Sequence, residues 1–328
     1  MVRVVGSIAS DRLFGSFGND ELFGLGGNDV LVGSAGSDLM DGATGFDAVD
    51  YSGLGRAVTI LPGGAIAKSG LGTDRISSVE RIVGAIGQAN AIDGTGRGTA
   101  RFDINLAANR LTVNGLPGIG TLSFAVENFV NVRGTANRDI ISGNFLNNFI
   151  DGDSGDDGLF GDAGNDTLIG RGGNDSINGG NGFDLLTGDS GNDTLIGAAN
   201  SDTLIGGDGI DVLLGTNNVN RGFNEIDTLT GGAGSDGFVL GDRSGAYYKA
   251  QGAGNYAQIN DFGAIDLIVL GTGEAYQVRR DANGFDLFAV TNGLSELIAD
   301  VRTTSFISLP TGTFRLASGQ TFGNFVGA

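Results

Sequence analysis

Glycine returns every nine residues through much of this chain, and a backbone that turns so often is built from very short straight pieces. From Gly6 the sequence reads GSIASDRLF, GSFGNDELF, GLGGNDVLV, GSAGSDLMD and GATGFDAVD, five consecutive nonamers ending at Asp50. A second array opens at Gly134 with GTANRDIIS and runs without slippage to Leu214. It then takes in a unit lengthened by seven residues, Gly215 to Thr230, and closes with GGAGSDGFV at Val239. Across these sixteen units the first position is always Gly and the eighth always apolar, while the sixth is Asp in all but one, where Asn148 stands. Self-similarity at a fixed period is the mark of a solenoid.

The phases predict the coil. Gly at positions one and four admits positive φ and a tight turn. The residues that follow form a short strand whose eighth-position side chain points inward, and strands stack about 4.8 Å apart. Two nonamers make one coil. The expected fold is all-β, a parallel β-roll or β-helix solenoid with a thin core of stacked apolar residues. Glycine is extreme, at 62 of 328 residues, but 40% of the chain is hydrophobic, more than a disordered chain carries.

The acid balance is as informative. Asp and Glu number 38 against 19 Lys and Arg, a formal charge of −19, which repels nucleic acid and anionic membranes. Most of the repeat Asp residues fall at one phase, each beside the Asp one coil, or 18 residues, away. Carboxylates at that spacing repel unless a cation lies between turns, where they become ligands beside backbone carbonyls. An all-oxygen set suits Ca²⁺ better than Mg²⁺, which demands strict octahedral geometry and keeps its waters. An isolated Asp after Gly-x is an ordinary turn residue; fifteen in phase with glycines are not.

The pattern resembles the hemolysin-type calcium-binding repeats-in-toxin (RTX) family, whose consensus is GGxGxDxUx with U a large apolar residue. The resemblance implies a parallel β-roll, multiple Ca²⁺ ions between turns and export by a type I system. It carries the metal role to Asp11, Asp20, Asp29, Asp38 and Asp47, and to Asp139, Asp157, Asp166, Asp175, Asp184, Asp193, Asp202 and Asp211. Asp227 and Asp236 follow less directly, because the insertion after Gly215 breaks the 18-residue register. Further on, NEIDTLTGGAGSDGFVLGD and YAQINDFGAIDLIVL resemble the ends of cyanobacterial members of the family. There a D-F-x-x-x-x-D element, here Asp261 and Asp266, often holds a further Ca²⁺; the alternative is two turn carboxylates.

The chain is expected to divide into an N-terminal array (1–50), a non-repetitive module of wider coils (51–133), the second array (134–239) and a C-terminal β-rich cap (240–328). In the module, SSVERIVGAIGQANAIDG and FAVENFVNVRGTANRDIISG resemble each other, with Glu80 and Glu127 as ligands or, preferably, surface strand residues. A solenoid exposes strand edges at its ends, and residues 240–328 are the natural cap.

No enzyme is expected. With no His and no Cys there is no HExxH motif, no His base, no thiol nucleophile and no disulfide; a glycosidase-type carboxylate pair stays formally open. The first residues lack the apolar run of a cleavable signal peptide, and no stretch has the length of a membrane-spanning helix. An uncleaved export signal is expected in TFRLASGQTFGNFVGA, which starts at Thr313. The resulting expectation is an extracellular or cell-surface structural protein folded by Ca²⁺. Its expected partners are a second copy stacked head to tail, which builds a filament or layer, and surface polysaccharide. The alternative is a calcium-triggered folding and secretion module of a toxin or hydrolase. Position seven holds Arg12, Glu21, Val30, Leu39 and Ala48, so there is no flat ladder of Thr or aromatics for binding ice or carbohydrate.

Overall fold

The computed structural model describes residues 1–96, 98–116, 120–216, 225–242, 245–248, 256–262, 266–269, 275–280, 284–291 and 294–302. The insertion after Gly215 and the tail from Thr313 lie outside the described residues. Short strands joined by turns, bends and irregular segments make up the described residues, with no helix among them. The chain forms two compact units, Met1–Gly155 and Asp156–Ala328.

In the N-terminal array each nonamer contributes one three-residue strand, and strands 18 residues apart pair in parallel. Arg12–Phe14 pairs with Val30–Val32 and that with Ala48–Asp50, so that Leu13, Leu31 and Val49 stack. On the alternate ladder Arg3–Val5, Glu21–Phe23 and Leu39–Asp41 pair in turn, stacking Leu22 on Met40. Of these eighth-position side chains Leu22, Leu31, Met40 and Val49 are fully buried and Leu13 nearly so. Residues 51–133 then mix two kinds of pairing. Val58–Ile60, Ile66–Lys68 and Gly72–Ser77 form an antiparallel meander whose last strand returns to the parallel ladder beside Leu39–Asp41. A second meander of Arg101–Asn105, Arg110–Leu116 and Gly120–Glu127 rejoins the other ladder through Arg81–Val83 and Ile140–Asn144. A nine-residue pattern carries no sign of such antiparallel excursions.

The second unit repeats the scheme with longer strands. Gly158–Ala163, Ser176–Asn181, Thr194–Ala199 and Val212–Thr216 form one parallel ladder. Thr167–Gly172, Leu185–Ser190, Thr203–Gly209 and Ile226–Gly234 form the other. Leu159, Ile177, Leu195 and Leu213 on one side, and Leu168, Leu186, Leu204 and Leu229 on the other, are completely buried. With so thin a core every layer matters, and Leu195→Ala is expected to cost about 2–5 kcal/mol, measured by denaturant unfolding in calcium. Beyond the array, Tyr256–Ile259 extends the ladder and pairs with Leu294–Arg302. That strand closes antiparallel against Gly284–Thr291, and Gly284–Thr291 against Ala275–Arg280.

The structure corrects the reason for one glycine. Positive φ falls at position four, as at Gly182 (φ 144), where a side chain would also strike the carbonyl of Gly164 one coil away. It falls again at position two, which Leu25, Ala43, Arg171 and Asp189 occupy despite the strain. Position-one glycines have ordinary φ. They are Gly for lack of space: a Cβ on Gly6 would lie 2.7 Å from Gly24 O and 2.8 Å from Asp11 Oδ2.

Candidate metal centres

The position-six carboxylates point into the turns and form two ladders. Within the arrays Oδ1 accepts the backbone N–H of the Asp one coil earlier, whereas Asp20 Oδ1 accepts the Val2 N–H and Asp139 Oδ1 that of Phe102. In the first unit the Asp11 N–H donates to Asp29 Oδ1 (2.8 Å), Asp29 to Asp47 (2.7 Å) and Asp20 to Asp38 (2.9 Å). In the second, Asp157 donates to Asp175, Asp175 to Asp193 and Asp193 to Asp211, each at 2.8 Å. On its other side Asp166 donates to Asp184 (2.8 Å) and Asp184 to Asp202 (2.9 Å). The ladders continue across the insertion, from Asp202 to Asp227 at 2.8 Å and from Asp211 to Asp236 at 3.0 Å, each a step of 25 residues.

With Oδ1 engaged, Oδ2 decides what the turn can hold. The Oδ2 atoms of Asp29, Asp47, Asp175, Asp184, Asp193, Asp202, Asp211 and Asp236 are buried and accept no hydrogen bond from any described residue. An orphaned buried carboxylate oxygen is costly. Each lies directly over a position-one glycine, and in several turns the carbonyl of the position-one glycine in the next coil faces the same point. Asp193 Oδ2 and Gly206 O meet in this way above Gly188, and Asp29 Oδ2 and Gly42 O above Gly24. Among the described residues no three acidic side chains gather at one point. An ion held here takes one or two carboxylates and completes its shell with carbonyls. Such a donor set, all oxygen and mostly neutral, fits Ca²⁺.

Electrostatics agree. Burial pushes the carboxyls of Asp175, Asp184, Asp193 and Asp211 up to about 6. Asp202 goes up to about 9, through burial and then the charges of Asp227, Asp184 and Glu225. A charge that burial disfavours so strongly calls for a compensating cation.

Other position-six residues are satisfied by the protein. Ser7 donates to Asp11 Oδ2 through N–H (2.6 Å) and Oγ (2.9 Å), and Ser16 does the same for Asp20 (2.5 and 2.8 Å). Burial works against the Asp20 charge, but the Ser16 and Val2 donors hold its carboxyl below the usual range. Thr135 caps Asp139 in the same way (N–H 2.6 Å), although burial still lifts that carboxyl to about 6. The Tyr248 hydroxyl donates to Asp227 Oδ2 at 2.5 Å. Asn148 hydrogen-bonds the Asn144 N–H and Val130 O, an uncharged turn closed without a cation. Asp261 caps the N–H groups of Gly231 (2.9 Å) and Gly232 (2.8 Å), whereas Asp266 Oδ1 accepts from Asp236 N–H (3.1 Å), so the two serve different turns.

Two ladder members escape the repeat. Asp74 Oδ1 accepts the Asp38 N–H at 2.9 Å, and Glu80 Oε2 accepts the Asp47 N–H at 2.8 Å, each in the place of the next Asp. They stand 36 and 33 residues on, so no 18-residue spacing marks them. Glu127 instead forms a two-pronged pair with Arg81, both bonds 2.8 Å.

Residues 5–49, 133–168, 159–186, 169–204, 178–213 and 221–242 match the profile described as RTX calcium-binding nonapeptide repeat. The chain carries RTX calcium-binding repeats. The RTX arrays and the orphaned Oδ2 atoms coincide, and the protein is a calcium-binding repeat protein built as a β-roll. Among solved structures, the extracellular lipase LipA from Serratia marcescens is similar at 15% identity and a TM-score of 0.22. The likeness covers 93% of this chain but 38% of the lipase. No curated protein matches the sequence. No described helix is long and apolar enough to cross a membrane.

Proposed function

We propose that this chain is a secreted structural protein of the cell surface or extracellular matrix, folded by the calcium it meets outside the cell. The observation that supports it best is the row of buried, unpartnered Oδ2 atoms from Asp175 to Asp211 in the second unit, with Asp29 and Asp47 in the first. In this reading those carboxylates are ligands, together with their ladder neighbours and the facing glycine carbonyls. The ion supplies the positive charge that lets them stay ionised while buried. Without it the acid excess of −19 opposes closure, so binding free energy is folding free energy. RTX repeats are typical of proteins exported by type I systems, which supports an extracellular site.

Self-assembly is the finer part of the proposal. Ile8 and Phe17, beside the strands Arg3–Val5 and Arg12–Phe14, are 91% and 93% exposed. A second copy stacked there gives a heterologous, filament-forming contact.

Circular dichroism during a calcium titration tests the core of the reading. Coil without calcium and β-sheet with it, the transition at about 0.1–1 mM, is the expected result. Sheet content indifferent to a chelator would end it. Electron microscopy of the calcium-bound sample tests assembly, and single particles at every concentration would remove the filament.

A further inference from the structure

One turn of the first unit already holds a cation of its own. Lys68 ends the strand Ile66–Lys68, in the antiparallel meander, and its side chain is completely buried. Its Nζ donates to Ser34 O at 2.7 Å, to Asp38 Oδ2 at 3.3 Å and to Asp74 Oδ1. An ammonium has three protons, and all three are used. The three acceptors are two carboxylates on successive steps of one Asp ladder and a backbone carbonyl, the same kinds of oxygen that converge in the orphaned turns. The Tyr51 hydroxyl takes the remaining oxygen, Asp74 Oδ2, at 2.8 Å. The Tyr51 ring lies over Gly33, where an Asp Oδ2 and a glycine carbonyl lie over Gly24 and Gly188.

The consequence is a difference between the two faces of this array. On one, Asp29 and Asp47 keep bare buried Oδ2 atoms. On the other, Ser16 serves Asp20 (2.8 Å), and Lys68 with Ser34 (3.3 Å) serves Asp38. A buried Lys without counter-charges would be costly, and buried carboxylates without a cation equally so. Here each compensates the other.

We propose that the Lys68 ammonium stands where neighbouring turns take a metal ion, so that the Asp20–Asp38–Asp74 face closes without calcium. The inference rests on the reading that the unpartnered turns bind calcium, and its test separates the two.

The full-length protein and Lys68→Met are dialysed against saturating calcium, and bound calcium per chain is counted by atomic emission. Methionine keeps the unbranched stem, one atom shorter, and removes the charge. The variant is expected to bind one more ion than wild type and to need more calcium to fold. Equal counts overturn the inference, and only a count of zero in wild type removes the proposed function as well. Failure of K68M to fold in saturating calcium also overturns it. The double variant K68M/D74N, with one carboxylate fewer to balance, is expected to fold with the wild-type count. An extra ion in it, or failure to fold, counts against the inference.

Discussion

Replacing Asp193 with Asn is expected to raise the calcium concentration needed for folding by on the order of tenfold, since ligand charge is what tunes oxygen sites of this kind. Asp193 stands in mid-ladder. Its Oδ1 holds the Asp175 N–H at 2.8 Å, and its Oδ2 is buried and bare. The amide keeps the first role and forfeits the charge of the second. The informative control is Asp20→Asn. Asp20 is as buried, but Ser16 already serves its Oδ2 at 2.5 and 2.8 Å. Its replacement should weaken the turn only by the hydrogen bonds lost to Ser16 and Val2 and shift the calcium midpoint far less. Calcium titrations of the two variants followed by circular dichroism make the comparison. Equal shifts would mean that the orphaned oxygens have no special part in binding.

Metal-free protein should gain sheet structure as the pH falls, the reverse of ordinary acid denaturation. Burial raises the carboxyls of Asp175, Asp184, Asp193 and Asp211 from 3.8 to about 6 in the folded chain, and that of Asp202 to about 9. A raised carboxyl binds its proton more tightly when folded, so folding is penalised at neutral pH. The penalty shrinks as pH drops through about 6 and is gone below the unfolded value near 4. With calcium present the sign inverts, because protons compete with the ion for the same oxygens. Circular dichroism of metal-stripped protein between pH 7 and 4 reads the first effect. A sheet signal that stays flat or declines across that window would contradict the burial of bare carboxylates.

The sequence showed the coil plainly and the individual turn poorly, for a physical reason. Period is a property of the chain, and the eighth-position residues from Leu22 to Phe238 are buried as their phase predicts. Which oxygen of each Asp is left over depends on what stands at position two and on what other segments bring near. A hydroxyl at Ser16 or Thr135 closes a turn that Leu25 or Asp189 leaves open, and the repeat alphabet treats position two as free. Asp74, Glu80 and Lys68 reach the ladders from the non-repetitive module, where register is set by antiparallel pairing. The glycine at position one was legible as an invariant but not as a matter of space, since its neighbour lies a full coil away.

The hydrogen bonds that run from each Asp N–H to the Asp of the next coil all point the same way along the chain. Each position-six N–H is therefore satisfied by a residue that comes after it, whereas position-five N–H groups such as those of Asn174 and Asn192 reach back to the coil before. Synthesis from the N-terminus leaves every newest turn unfinished until the next coil exists. Loss of the last coil takes the carboxylate acceptors from the position-six N–H groups of the coil before it, while loss of the first coil takes acceptors from position-five N–H groups such as those of Asn28 and Ser37. The carboxylate ladder has a polarity, and the meander from Ala275 to Arg302 lies beyond its C-terminal end.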